Sequence, residues 1–495
     1  MMIWAAVSLA SVWPLLILGA ILGAAFLVLM LRQPDTGSWL FAFVMFSNCA
    51  VVATHFHGVP HAAAAGTFVL LLAPVAYHVV LRGDRFFLGP APGALLGFFG
   101  VQLVGVFLAP HRDVALAKIM TNLAEGLVLY LLVVNAVRST EILRRVTWAL
   151  LVAGSFMGGL GLFQAVTKTQ HIDYGGFAQV PERTVAEEDE EWVPAPKPRA
   201  AGPIGEKNYY AQFMLMIAPL AFMQRQSERS PLLKLLAIGA LLLILAGVAL
   251  SGSRGAAVGF LAVLLVMAAF RYVTWAQVCI LMLAGGMVVM LNPTYRERLS
   301  SLAPLLEIAR GSASIQNADK AIQGRATEMV AAVLIFFDHP LLGVGPGNFP
   351  TEFVHKADLL GFQVHSTERL AHCMYLEIAA ENGLAGLLAW LWLYGATLKS
   401  LLRARAEATE PALRNAATAL FLGLVVLAST TVFLSFAYTR YYWFLLALGG
   451  AAATLGQLSR DAAARNAVKN GAKSGTQVAD APSPELGDVT LAGPT

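Results

Sequence analysis

Two arginines lie in sequence surroundings that suit anion binding. Arg254 lies in the small-residue run 251–256 between two apolar segments, and Arg325 opens the amphipathic stretch 325–337. A guanidinium presents a planar fork of donors that matches phosphate oxygens. Two simpler interpretations stay open: Arg254 as an interfacial arginine meeting ordinary lipid phosphates, and Arg325 as a solvated partner of Glu328 at i,i+3.

A glycine-rich run follows that amphipathic stretch. Gly343, Gly345 and Gly347 stand at alternating positions within 338–349. Glycine lets a backbone turn tightly, and the N–H groups of such turns can form an anion-binding concavity. The pattern predicts an anion-binding turn, and a plain structural loop is the alternative.

A histidine stands at the start of a later apolar run. His372 could deprotonate an acceptor hydroxyl, because the pKa of histidine is ordinarily near neutral. The alternative is a helix-capping or interfacial histidine. We expect no thiol–imidazole pair with Cys373, because residues at i,i+1 on a helix do not face each other.

Other ionisable residues suggest weaker alternatives. His55, His57 and His61 form a cluster without a carboxylate or cysteine nearby, so we expect no metal site and no cofactor. Lys118 and Glu125 lie seven residues apart on one face of an apolar run. Ionisable residues within a membrane usually pair or line a pathway, which keeps a transporter or flippase as an alternative function.

The composition of the chain excludes a soluble globular fold. Of its 495 residues, 57% are apolar and 13% are charged, with a mean hydropathy of +0.66, whereas soluble proteins carry about 25% charged residues. The net charge of +4 does not suggest nucleic-acid binding. Because lipid offers no partner to backbone polar groups, the apolar runs must be helices, and the sequence predicts an all-α polytopic membrane protein of about 12–13 transmembrane helices. The apolar runs fall at about 11–31, 38–53, 62–80, 93–110, 114–136, 146–166, 209–224, 232–251, 255–271, 275–291, 374–398, 415–436 and 442–457.

Lysine and arginine concentrate on alternate connectors, which the positive-inside rule places in the cytoplasm. The two long segments then share the outer, periplasmic side of the membrane. The predicted divisions are N-terminal helices over 1–166, an acidic and proline-rich loop over 167–208, helices over 209–291, one large periplasmic helical loop over 292–372, C-terminal helices over 373–458 and a disordered cytoplasmic tail over 459–495.

The order of these pieces resembles the O-antigen ligase and O-antigen polymerase family of bacterial inner-membrane glycan transferases. The resemblance covers about 205–390. The matching residues are Gly205-Glu206-Lys207-Asn208, Ser253-Arg254-Gly255, Gly324-Arg325, Pro340-Leu341-Leu342-Gly343-Val344-Gly345, and His372 with Gly383 and Gly386. The sequence departs from the family at Cys373, where Asn, Ser or Gln is usual after the histidine.

The resemblance implies a glycosyltransferase that acts without metal at the periplasmic face of the bacterial inner membrane. Its donor would be a glycan on undecaprenyl diphosphate, and its acceptor a hydroxyl of lipid A–core, a glycan or another molecule, in lipopolysaccharide or surface polysaccharide biosynthesis. A polysaccharide polymerase of the same family is the alternative. By motif, Arg254 and Arg325 would bind the diphosphate and His372 would act on the acceptor. The motif residues Asn208, Gly343 and Gly345, together with Gly347 of the glycine-rich run, are also expected to bind substrate.

Overall fold

The computed structural model describes residues 32–180, 199–291, 320–359 and 370–479. Within these ranges the chain is helical, and its one pair of bridged β-type residues is Gln179 with Gly202. The all-α fold is therefore confirmed. The apolar run 11–31, the acidic run 187–191 and much of the segment 292–372 lie outside the described residues.

Fifteen helices make up the described chain. The six before residue 180 are α1 (Thr36–Phe46), α2 (Cys49–His57), α3 (His61–Leu81), α4 (Pro92–Leu108), α5 (Arg112–Ala136) and α6 (Thr140–Thr167). The nine after residue 199 are α7 (Lys207–Ser227), α8 (Pro231–Ser251), α9 (Arg254–Ala269), α10 (Trp275–Leu291), α11 (Lys320–Asp338), α12 (Phe349–Leu359), α13 (Met374–Glu407), α14 (Pro411–Thr430) and α15 (Thr439–Ala479).

Several helices begin at local signals in the sequence. The Ser139 hydroxyl accepts from Ile142 N–H at the start of α6, and the Glu206 carboxylate accepts from Asn208 N–H at the start of α7. Such caps satisfy N–H groups that have no partner within the helix. Proline at the first helical position begins α4, α8 and α14, where no N–H is needed.

Among the described helices, six are long and apolar enough to cross a bilayer: α3, α5, α6, α8, α13 and α14. A seventh is obtained if α1 and α2, bent by 52° at their junction, are one broken span. Helices α4, α9 and α10 are shorter and also apolar. The chain is thus a multi-pass membrane protein, and the larger number of about 12–13 spans stays a prediction.

Two predicted spans, 209–224 and 442–457, are helices that other helices surround. Helix α7 buries polar side chains that find partners inside the bundle: Gln212 Nε2 donates to Thr430 Oγ1 at 2.6 Å, and Gln224 Nε2 donates to Glu228 Oε1 at 2.6 Å. Phe213 of α7 stacks on Tyr441 of α15 at 4.1 Å between ring centroids. A helix enclosed by protein needs less overall hydropathy than one that faces lipid.

The predicted span 38–53 is interrupted where α1 ends. Asn48 adopts the left-handed conformation, with φ 58°, and its side-chain amide donates to the Pro203 carbonyl at 2.7 Å. Asparagine tolerates this conformation better than most residues because its short polar side chain can hydrogen-bond locally. The apolar pattern does not predict this break, because the break depends on the conformation of the single residue Asn48.

The two ends of the bundle differ in charge. At one end Arg144 forms a bidentate pair with Glu228, at 2.8 and 2.9 Å, and Arg460 pairs with Glu407 at 2.6 Å. Arg144 belongs to a connector and Arg460 to the tail, and the sequence predicts both to be cytoplasmic. The opposite end carries His372. The compartment that each end faces stays a prediction.

The last helix corrects the prediction of a disordered tail from residue 459. Helix α15 continues to Ala479, and Arg460 is held by Glu407 of α13. The segment after 459 is rich in alanine, which has the highest helix propensity, so the helix continues beyond the apolar run. Residues 480–495 lie outside the described ranges.

Candidate functional site

Arg254 is the first residue of α9 and lies exposed at the end of the bundle opposite Arg144. The turn before it is held on both sides. The Ser253 hydroxyl accepts from Ala256 N–H at 3.4 Å, and Arg199 donates to the Ser251 and Gly252 carbonyls at 2.6 and 2.8 Å. Arg199 thus caps the carbonyl end of α8, which fixes the position from which Arg254 projects.

Helix α9 rests on the residues that join α14 to α15. Gly255 lies against the Phe433 side chain, and Gly259 lies so close to Thr430 that an added Cβ would be 2.6 Å from its methyl group. This connector therefore fixes where α9 begins, and with it Arg254.

His372 lies on the same connector from the other side. Its backbone takes a positive φ of 48°, and its N–H donates to Ser435 Oγ at 2.8 Å. Its imidazole Nε2 lies 3.3 Å from Glu328 Oε2, and Glu328 has no exposed side-chain surface. A carboxylate this buried is costly unless it is paired, and the His372 imidazole is within ion-pair distance of it.

Glu328 belongs to α11, one turn after Arg325. Side chains at i and i+3 of a helix lie about 5–6 Å apart at Cβ, so Arg325 and the Glu328–His372 pair are neighbours. Arg325 is exposed, whereas Glu328, Ala331, Ala332 and Ile335 form the buried face of α11. Arg325 is thus one helical turn from the residue that contacts His372, and both His372 and the start of α9 contact the 431–438 connector; a shared site of the three stays a prediction.

In the glycine-rich run, the N–H groups of all three predicted glycines donate within the protein. Gly343 N–H donates to the His339 carbonyl at 3.0 Å, and Gly345 N–H donates to the Glu381 carbonyl at 2.9 Å. Gly347 N–H donates to the side chain of Glu381, a buried carboxylate of α13. Two of these N–H groups thus donate to carbonyls and one to an internal carboxylate; substrate binding by the run stays a prediction.

The same run completes a broken helix. At Gly383, with φ 62° and ψ −167°, α13 loses its regular hydrogen bonds. Segment 340–345 replaces them: N–H groups of Val344 and Gly345 donate to the carbonyls of Ala380 and Glu381, while the Pro340 and Leu341 carbonyls accept from the N–H groups of Leu384 and Ala385. The glycines thus position α11 against α13, and with it Glu328 against His372.

Asn208 lies on the first turn of α7 with its polar groups directed at Glu206. Its N–H donates to Glu206 Oε2 at 2.7 Å, and its side-chain amide donates to Glu206 Oε1 at 2.9 Å. The next residue, Tyr209, donates through its hydroxyl to the Ser435 carbonyl at 3.3 Å. The start of α7 therefore touches the connector that also contacts His372.

Sequence reasoning missed two residues of this region. Glu328 entered only as a neighbour of Arg325, although its spacing with Ala331, Ala332 and Ile335 places it on the apolar face of α11 and therefore signals a buried carboxylate. Arg199 had no such signal, because its partners Ser251 and Gly252 are more than fifty residues away.

Lys118 and Glu125, which motivate the transporter alternative, face different helices. Glu125 accepts from Thr439 Oγ1 at 3.2 Å and lies 3.7 Å from Arg440. Lys118 interacts electrostatically with Glu377 and Glu381 of α13. Each thus joins α5 to another helix of the bundle.

The remaining sequence candidates have ordinary surroundings. His57 Nε2 lies 3.0 Å from the Gly175 carbonyl, and among the described residues no group of three or more His, Cys, Asp or Glu could hold a metal ion. Burial raises the pKa of the Cys373 thiol. A thiol kept protonated is a poor nucleophile.

Comparison with known proteins places the site within one family match. Residues 239–391 match a family model described as O-antigen ligase, and this range contains Arg254, Arg325, Glu328 and His372. No curated protein matches the chain.

Proposed function

We propose that the chain, whose residues 239–391 match the O-antigen ligase family model, is a member of that family and transfers a glycan from undecaprenyl diphosphate to an acceptor hydroxyl at the periplasmic face of the inner membrane. The observation that carries the proposal is the buried Glu328 carboxylate 3.3 Å from His372, one helical turn after Arg325. This contact puts His372, the proposed base for the acceptor, near Arg325, the proposed cation for the leaving group.

The reaction breaks the bond between the anomeric carbon and the diphosphate oxygen, and forms a bond from that carbon to the acceptor oxygen. The leaving diphosphate gains negative charge as the bond breaks. Arg254 and Arg325 stabilise that charge with hydrogen bonds worth about 1.5–3 kcal/mol each. Because the prenyl chain stays in lipid, such a site must lie at the end of the membrane helices.

His372 accepts the proton that the acceptor hydroxyl loses. In the proposed reaction the imidazole carries a proton on Nε2, the nitrogen nearest Glu328, and Nδ1 acts as the base. The Glu328 carboxylate then stabilises the imidazolium that forms, as a positioning residue that does not itself contact the substrate.

Gene deletion followed by analysis of surface polysaccharide tests the proposed function. We expect loss of glycan transfer, with the prenyl-linked donor accumulating. Long glycan stranded on the carrier identifies a ligase, and surface glycan reduced to a single repeat identifies a polymerase. Unchanged surface polysaccharide and donor levels would overturn the proposal.

A further inference from the structure

A cavity lies at the basic end of the bundle, opposite Arg254 and His372. Its volume is about 620 Å³, and it forms where α1 begins, α3 ends, α5 passes into α6 and α15 runs alongside. The charged side chains that line it are Arg82, Arg85, Arg138, Arg465, Asp35 and Asp84, so four guanidiniums face two carboxylates.

Both carboxylates are directed at one imidazole. His78 is 6% exposed, and its Nε2 lies 2.9 Å from Asp35 Oδ1 while its Nδ1 lies 3.3 Å from Asp84 Oδ2. Asp84 Oδ2 also lies 4.0 Å from Arg82 Nε. Two carboxylates thus stand against four guanidiniums in the lining. The cavity therefore has an excess of positive charge.

The four arginines have different surroundings: Arg138 is bound within the protein, and the other three are exposed. Arg138 donates to the Asn135 and Arg85 carbonyls at 2.9 and 2.8 Å, and its guanidinium stacks 4.8 Å over the Phe87 ring. Arg82 and Arg85 are exposed on either side of Asp84, and Arg465 is exposed on α15. These three have guanidinium donors at the surface of the cavity.

Apolar walls lie beside these charges. Phe87, Ile142 and Leu458 line the same cavity. A basic pocket between helix ends, with apolar surface next to it, suits a phosphate group that carries an apolar chain. Guanidinium binds phosphate through paired hydrogen bonds, which gives such a pocket specificity beyond simple attraction.

We propose that this cavity binds the phosphate group of an anionic ligand, for which a glycerophospholipid headgroup is the source that its position among the helix ends favours. The proposal is independent of the reaction at the other end of the protein. It assigns a role to Arg82, Arg85 and Arg465, which the transfer reaction does not use.

Native mass spectrometry of the purified full-length protein in neutral detergent tests this site. The probes are phosphatidylglycerol, phosphatidylcholine and glycerol 3-phosphate. The double variant Arg82→Gln/Arg85→Gln is compared with Arg225→Gln/Arg229→Gln, which removes the same charge from exposed residues at the same end, outside the cavity lining. Size-exclusion chromatography checks that both variants stay folded.

We expect the Arg82/Arg85 variant to bind phosphatidylglycerol about 30-fold more weakly, because each arginine near an anionic headgroup contributes about fivefold. The control should change less than about twofold, and Arg465→Gln should lose about fivefold. Displacement of the lipid by glycerol 3-phosphate would support the site with a soluble phosphate as its ligand. Equal losses in both double variants, or equal binding of phosphatidylcholine and phosphatidylglycerol, would overturn the proposal.

Discussion

At the scale of single residues, the buried carboxylate of Glu328 separates this site from a collection of surface charges. An exposed arginine or histidine at a membrane surface is common, whereas a fully buried glutamate 3.3 Å from an imidazole is not. In the proposed reaction His372 accepts the acceptor's proton, Glu328 stabilises the imidazolium that forms, and the two arginines bind the leaving diphosphate. Each role has a distinct kinetic signature.

Replacing Glu328 tests the positioning role. Glu328→Gln keeps the volume and removes the charge that stabilises the imidazolium, so we expect kcat to fall about 10²-fold with little change in KM for the donor. Glu328→Asp should recover part of the rate. Steady-state kinetics with prenyl-linked donor measures both, and a change confined to KM would refute the role given to Glu328.

Replacing the arginines tests diphosphate binding. Arg254→Ala and Arg325→Ala should each lower kcat/KM about 10- to 150-fold, the kinetic equivalent of 1.5–3 kcal/mol. Arg112→Ala is the matched control, because Arg112 is also exposed at the start of a helix that begins at the same end. Equal effects at all three positions would show that general surface charge, not a site, is being measured.

At the scale of elements, α11 is held in place by a loop that fills a gap in α13. The sequence predicts α13 correctly as one apolar run, but not its break at Gly383. The local sequence around glycines 343, 345 and 347 predicts substrate binding and does not indicate their partners, because Ala380 and Glu381 lie more than thirty residues away. Apolar periodicity predicts helices, but it does not predict hydrogen bonds between segments that are distant in the sequence.

Gly383→Ala tests whether the loop positions the site. The added Cβ would lie 2.3 Å from the Leu341 backbone, and the conformation of Gly383 suits glycine almost alone. We expect the loop to be displaced, α11 to leave His372, and transfer activity to be lost. Gly395→Ala, in the same helix with open space around it, should keep full activity.

Glu228, the residue after α7, contacts Arg144 of α6, and the ionisation of its carboxylate stabilises the fold. Burial raises the pKa of Glu228, but hydrogen bonds from Arg144, Trp148 and Gln224 outweigh it, and the pKa lies below its ordinary value. A lowered carboxyl pKa gives stability that is present above the ordinary pKa and is lost as the pH falls through the folded-state pKa.

Glu228→Gln should therefore lower the unfolding free energy by about 1.5–3 kcal/mol at neutral pH. The variant should also lose less stability than the native protein on acidification below about pH 4.5. Thermal unfolding in detergent at several pH values measures both. Parallel pH curves for the two proteins would show that Glu228 does not titrate with folding.

At the scale of the whole molecule, the sequence predicted much of what the structure shows. Helices occupy twelve of the thirteen apolar runs, and the first run lies outside the described residues. This success has a physical cause: lipid allows a spanning backbone few forms besides the helix. The break at Asn48 and the extension of α15 to Ala479 were missed, because a single side chain or helix propensity decides them.

The charge difference between the two ends predicts an orientation that reporter fusions can measure. A phosphatase active only outside the cytoplasm should be active when fused after residue 190 and inactive when fused after residue 465. The opposite pattern would invert the protein and place His372 in the cytoplasm. That outcome would contradict the proposed periplasmic transfer without affecting the positioning role of Glu328.

One local pairing has a consequence for how this chain tolerates change. Gln179 N–H donates to the Gly202 carbonyl at 3.1 Å, and Ala201 N–H donates to the Gln179 carbonyl at 3.2 Å. The chain on either side of residues 181–198 is thus joined by hydrogen bonds, close to the turn that Arg199 holds before Arg254. We expect insertions or deletions confined to residues 181–198 to leave Arg254 in place, because the Gln179–Gly202 pairing and the Arg199 contacts lie outside that range.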